Sequence, residues 1–208
     1  MSNSSKSWLR RHLTDPFVKA AKKQHYASRA VFKLAEIQKK YKIFKSGMTV
    51  VDLGAAPGSW SQIVSECIGD CGRIIALDLL PLEIHAPHVT FIQGDFNDDI
   101  VSGQLLQATN EKKVDVIISD MAPNLSGQKS IDLPRSIHLL ELALDCAEKI
   151  LKPKGTFLFK AFQGAGLETF MRSVKSRFSQ VKYIKPAASR SESKELYVLA
   201  TGFRRSYT

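Results

Sequence analysis

The hydrophobic and polar positions follow two different periods along the chain. From about Asp15 to Tyr41 the pattern is helical: Val31, Leu34, Ala35 and Ile37 recur at helix spacing with Lys and Arg between them. Asp15-Pro16 matches an N-cap followed by proline in the first turn. After Gly47 short apolar runs alternate with helical patterns. "MTVVDL", "GRIIALDL", "VTFIQGDF", "VDVIISDMA" and "TFLFKAF" predict five strands. "WSQIVSECI", "LPRSIHLLELALDCAEKIL" and "GLETFMRSVKSRF" predict helices, the second closing at "KPKG". "QVKYIKP" and "ELYVLATG" are two last strands separated only by "AASRSESK", which predicts an antiparallel finish. The expected architecture is α/β: a Rossmann-like, mostly parallel, doubly wound sheet with an antiparallel last strand. Residues 1–14 read as a basic flexible arm. Residues 15–208 read as one domain, with a basic N-terminal helix over 15–45 packed on a core over 46–208.

Charge adds a second division. Residues 1–45 hold 12 Lys/Arg and 2 Asp/Glu, residues 46–169 hold 9 and 16, and residues 170–208 hold 9 and 2. Two basic ends therefore bracket an acidic middle. A large patch of one sign favours a polyanion such as RNA, DNA or an anionic membrane surface. Arg10, Arg11, Lys19, Lys22, Lys23 and Arg29 are the expected phosphate contacts, which give affinity without sequence choice. No apolar run is long enough to span a membrane, and the N-terminus lacks the apolar segment of a secretory signal. Three cysteines argue against a disulfide framework and fit a reducing cytoplasm. Cys67 and Cys71 lack a second pair at zinc-site spacing, and His85 and His88 sit in a Pro-containing connection, so no metal is expected.

In a doubly wound sheet the ligand lies outside the C-terminal strand ends, near the switch point. The first strand ends at Asp52 and runs into Gly54-Ala-Ala-Pro57-Gly58. A dinucleotide site needs G-x-G-x-x-G, but Ala56 occupies the second glycine position and Pro57 has no N–H to offer a phosphate. A P-loop is excluded because no G-K-[ST] follows. The loop suits close backbone approach without phosphate cradling, a need that S-adenosylmethionine meets. The next strand ends place Asp78 to accept hydrogen bonds from ribose hydroxyls, Asp95 to meet an adenine amino group, and Asp120 beside the reacting methyl. Four acids at four successive strand ends also suit a sulfonium cation. Lys160 lies inside the apolar run "FLFKAF", where lysine is seldom found without a partner or a job. Desolvation favours its neutral form and a role as general base. Lys33 and Glu195 read as surface residues from composition alone.

Taken in order, "SRAVFKLAEI", "VVDLGAAPGSW", "IIALDLLP", "QGDF", "SDMAPNLSG", "FLFKAFQG" and "SKELYVLATGF" resemble the FtsJ/RrmJ family of S-adenosylmethionine-dependent RNA 2′-O-ribose methyltransferases. The resemblance spans about Trp8 to Phe203 and is closest to the bacterial branch, which methylates a uridine of large-subunit (23S) ribosomal RNA. It implies the Rossmann-like methyltransferase fold and a catalytic tetrad of Lys33, Asp120, Lys160 and Glu195. It implies cofactor contacts at Gly58, Trp60, Asp78, Asp95 and Asp120, and ribosomal RNA or the large ribosomal subunit as partner. A monomer is expected, since it would leave the basic face open. Ser59 departs from the pattern, since close relatives usually carry a second glycine there; an ordinary φ and intact binding are expected. A tRNA or mRNA-cap acceptor would use the same tetrad. A base N-methyltransferase is disfavoured by "DMAPN", and a dehydrogenase by the missing glycine pattern. A non-catalytic RNA-binding assembly factor would have no need of the tetrad.

Overall fold

A computed structural model describes residues 14–110, 113–190 and 193–204. The arm expected over residues 1–14 lies outside these residues apart from Thr14, as do Arg10 and Arg11. Two helices, α1 (Pro16–Lys23) and α2 (Val31–Tyr41), precede β1 (Thr49–Leu53) and α3 (Ser59–Ile68). Then come β2 (Arg73–Asp78), β3 (Val89–Gln93), α4 (Asp99–Ala108), β4 (Val114–Ser119) and α5 (Lys129–Ile150). The chain finishes with β5 (Leu151–Phe162), α6 (Leu167–Arg177), β6 (Phe178–Ile184) and β7 (Glu195–Phe203).

The seven strands form one sheet in the order β3-β2-β1-β4-β5-β7-β6. β7 inserts between β5 and β6 and is antiparallel to both. The pairings among β1 to β5 are parallel. The Rossmann-like architecture expected from the alternating pattern is therefore present, with its antiparallel strand last in sequence. The chain reverses winding direction between β1 and β4, so a crevice opens beyond their C-terminal ends. Alternate residues of each strand feed two cores. Val51, Ile75, Ile117, Phe157 and Val198 pack under α5 and α6. Val50, Ile74, Val116, Leu158 and Tyr197 pack under α2 and α3.

Two elements differ from expectation. The basic N-terminal helix expected over 15–45 is two helices, broken at residues 24–30. Asp15 caps α1 through Phe17 N–H at 2.9 Å with Pro16 behind it, as its sequence predicts. His25 then takes a left-handed φ of 59°. The break is held by side chains of α3: Gln62 accepts from Ala27 N–H and donates to the His25 carbonyl, and Trp60 Nε1–H donates to the Ala30 carbonyl at 3.0 Å. Such long-range partners leave no trace in local periodicity. No helix is expected between the third and fourth strands, yet α4 forms there, capped by Asp98 on Ile100 N–H at 2.8 Å. It buries only Val101 and Leu105 and carries Gly103 inside, so its apolar stripe is faint.

Candidate active site

At the C-terminal strand ends the structure gathers Asp78, Asp95 and Asp120 around one cavity of about 450 Å³. Gly54 forms part of its wall with φ +78°, and a Cβ there would come within 2.9 Å of Met121. Only glycine permits both the left-handed turn and this approach. Asp78 is fixed at both oxygens, accepting from Ala56 N–H and Leu80 N–H at 2.9 Å each. Asp95 accepts from the backbone and side chain of Asn97, and these bonds hold its carboxyl below the ordinary range. Arg135 and His138, from α5, complete the far wall.

Asp52, the fourth strand-end acid, does not reach this cavity. It is fully buried beneath the loop, where Oδ2 accepts from Ser61 at 2.7 Å and Oδ1 has no partner. Burial first, and the nearby Asp120 and Asp78 charges next, push its pKa up to about 7 against the pull of Ser61. Gly58 and Trp60 also stand off the cavity lining. The Gly58 Cα faces Leu82 and Ile84, and the Trp60 indole is in the core against Tyr197. Ser59 is not among the left-handed residues; it starts α3, buried, with its hydroxyl 2.8 Å from that of Ser28.

Lys33, Asp120, Lys160 and Glu195 come together although they derive from α2 and three strand ends. Lys33 Nζ lies 2.6 Å from Glu195, and Lys160 Nζ lies 3.0 Å from the Asp120 carboxylate and 2.5 Å from its carbonyl oxygen. The four side chains are only 9–19% exposed, so Lys33 and Glu195 are not the surface residues their composition suggests. Burial opposes the Glu195 charge, but Lys33 and, more weakly, Lys160 outweigh it and hold its pKa below the ordinary value.

Sequence reasoning missed the residue that joins the two pairs. Tyr197 is fully buried on β7, donates to Asp120 at 2.8 Å and accepts from Lys33 at 3.3 Å. Burial first, then the Asp120 and Glu195 charges, raise its phenol well above the usual value, so it stays a donor. The signal was present: it follows Glu195 by two residues and so shares its face of β7. The resulting chain Glu195–Lys33–Tyr197–Asp120–Lys160 runs from the acidic cavity to a second cavity of about 410 Å³. That second cavity is lined by Ser28, Arg29, Lys33, Arg190, Ser193 and Glu195. The Arg29 guanidinium is itself held by Asp15 and the Ala188 carbonyl.

A family model described as FtsJ-like methyltransferase matches residues 26–203. The chain belongs to this family. It is 53% identical over 203 residues to a ribosomal RNA large subunit methyltransferase E of Pseudomonas fluorescens, covering 98% of this chain and 97% of that one. An Acinetobacter baumannii protein of the same name is 53% identical over 206 residues, covering 99% and 95%. Among solved structures, a Plasmodium falciparum chain described as a ribosomal RNA methyltransferase superposes with a TM-score of 0.74 at 29% identity, covering 87% of this chain and all of that one. Membership makes the chain a methyltransferase. Among the described residues no group of three or more His, Cys, Asp or Glu is placed to hold a metal ion. No helix among them is long and apolar enough to cross a membrane.

Proposed function

We propose that this methyltransferase transfers a methyl group from S-adenosylmethionine to the ribose 2′-hydroxyl of a uridine in large-subunit (23S) ribosomal RNA. The observation that carries the reading is the buried chain from Asp120 to Glu195, which joins two cavities of unlike charge. The acidic cavity suits a cationic nucleoside. Three carboxylates outnumber the single cation of the wall, Arg135, and disfavour a phosphate, and Pro57 in the adjoining loop has no N–H to cradle one. When bound, S-adenosylmethionine supplies a methyl group already activated as a sulfonium. Asp78 is preset to accept from ribose hydroxyls, Asp95 to accept from the adenine amino group, and Asp120 to face the reacting end. Backbone atoms of Gly58 and Trp60 border the loop. The cavity lined by Lys33, Arg29 and Arg190 suits the acceptor ribose and its phosphate.

In this reading Lys160 is the general base. Its ammonium is anchored by Asp120 and must release a proton before its amine accepts the one on the 2′-oxygen. Asp120 orients the Lys160 Nζ and holds the hydroxyl in line. Lys33 and Glu195 fix the ribose from the other side, with Tyr197 setting the distance between the pairs. Alignment of the reacting atoms contributes much of the acceleration. The exposed Lys19, Lys22 and Lys23 supply phosphate contacts along α1.

The ribosomal target rests on the relatives' names and on the basic flanks. A cytoplasmic monomer working on the assembled large subunit agrees with both. The test is transfer of tritium from labelled S-adenosylmethionine to large subunits from cells lacking the activity, with naked ribosomal RNA and tRNA alongside and nuclease mapping of the product. Label in a 2′-O-methyluridine of the large-subunit RNA is expected. Label in tRNA alone would overturn the target and keep the chemistry. Cofactor binding with no label in any RNA would overturn both.

A further inference from the structure

A basic cavity of about 430 Å³ lies at the other end of the sheet, where β5 and β6 begin and β7 ends. Its wall carries Lys42, Lys45, Lys152, Lys154 and Lys182, against a single carboxylate, Asp115. That carboxylate is already satisfied, bound to Lys152 at 2.7 Å and to Thr49 N–H at 2.8 Å. Among the described residues the other four lysines form no ion pair. Lys154 precedes Lys160 by six residues on β5, so this cavity lies roughly 20 Å from the proposed catalytic amine.

We propose that this cavity is a second docking site for the phosphate backbone of the RNA substrate, remote from the reaction; it rests on the reading of the acceptor as RNA. Two lysines here adopt a backbone that lysine disfavours: Lys42 at φ 50° and Lys154 at φ 64°. Glycine would serve the fold better at both positions, one of them the C-cap of α2. Keeping lysine there points to a use for its charge. Helix-dipole stabilisation accounts for cations at the end of α2, and protection of an edge strand accounts for Lys182. Neither accounts for Lys45 and Lys154, which come to the same cavity from the loop after α2 and from β5. Tyr41 adds a ring flanked by Lys40 Nζ at 5.3 Å and Lys182 Nζ at 5.5 Å from its centroid. α2 itself links the two sites, with Lys33 near its start and Lys39 and Lys40 in its last turn. Lysine ammonium groups without a fixed fork read phosphate rather than base, so the site would orient RNA without choosing sequence.

The test is a triple variant, Lys42→Gly, Lys154→Gly and Lys182→Ala, in the full chain. The two glycines preserve the left-handed backbone, so its thermal midpoint should equal or exceed that of the wild type. Cofactor binding and kcat should be unchanged. Affinity for transcribed large-subunit ribosomal RNA should fall roughly tenfold, and the slope of log affinity against log salt should flatten by about 0.7–0.9 for each phosphate the variant no longer neutralises. Equal affinity and slope for variant and wild type would overturn the proposal. So would a loss seen only on assembled subunits and not on naked RNA, which would point to an acidic protein instead. If the wild type itself bound no RNA, the acceptor reading would fall first and this site with it.

Discussion

Tyr197 stands directly opposite Lys160 in the antiparallel β5–β7 ladder, so the two side chains share one face of the sheet and both reach Asp120. The next pair on that face, Phe162 opposite Glu195, carries the carboxylate that binds Lys33. Strand register alone therefore places two of the four charged groups, and β4, next to β5, adds Asp120 just past its end. Tyr197→Phe keeps the ring in the core and removes both hydrogen bonds. A bond to a charged group is worth about 1.5–3 kcal/mol. We expect kcat to fall by roughly ten- to a hundredfold with little change in the KM for cofactor. Wild-type kcat in Tyr197→Phe would show that the hydroxyl only fills space.

Lys160→Ala removes the proposed proton acceptor. Loss of an acid–base group typically costs 10²–10⁴ in rate, so a fall of roughly that size is expected in single-turnover methyl transfer. Titration with S-adenosylmethionine should still show binding, because Lys160 is not on the wall of the acidic cavity. Single-turnover rates equal to wild type would exclude Lys160 as base.

Much of this arrangement could be read from local pattern. β1, β2, β4 and the Asp15 cap follow from apolar runs and a short capping signal, and Asp78, Asp95 and Asp120 follow from the rule about strand ends. What stayed hidden depends on distant partners. The break between α1 and α2 is held from α3, some 35 residues onward in the chain. Lys33 and Glu195 look like solvated charges until the fold sets them 2.6 Å apart. Tyr197 reads as an ordinary strand aromatic because nothing local shows its two hydrogen bonds. Asp52 looks like a fourth ligand-facing acid, but its strand ends under the loop rather than beside it.

Ser59 stands where the resemblance leads to the expectation of a second glycine. Its hydroxyl meets Ser28 across the α1–α2 break, and its backbone needs no glycine. Ser59→Gly should therefore destabilise the fold by about 1–2 kcal/mol, through a lost, partly buried hydrogen bond and a poorer start to α3. Chemical denaturation measures this directly. Affinity for S-adenosylmethionine should not change; tighter binding by the glycine variant would show that serine perturbs the loop.

Asp52 makes a prediction about pH. Its pKa is raised from 3.8 to about 7 in the folded protein, mainly by burial. A raised acid binds its proton more tightly when folded. Its contribution to stability is thus complete below the unfolded pKa, near 4, and is lost progressively until pH has risen through about 7. The difference corresponds to about 4 kcal/mol, of which the ligand-free protein should lose most between about pH 4 and pH 7. Asp52→Asn is neutral throughout and keeps an oxygen for the Ser61 hydroxyl. Thermal unfolding without cofactor should show the wild type falling relative to the variant by about 10 °C over that range. Parallel curves for the two proteins would mean that water or a shift of the loop already solvates the carboxylate. A bound sulfonium cation should narrow the gap, because it stabilises the ionised form. The same pair of curves repeated with S-adenosylmethionine and with S-adenosylhomocysteine, which lacks that charge, therefore separates burial from ligand charge as the determinant of Asp52 ionisation.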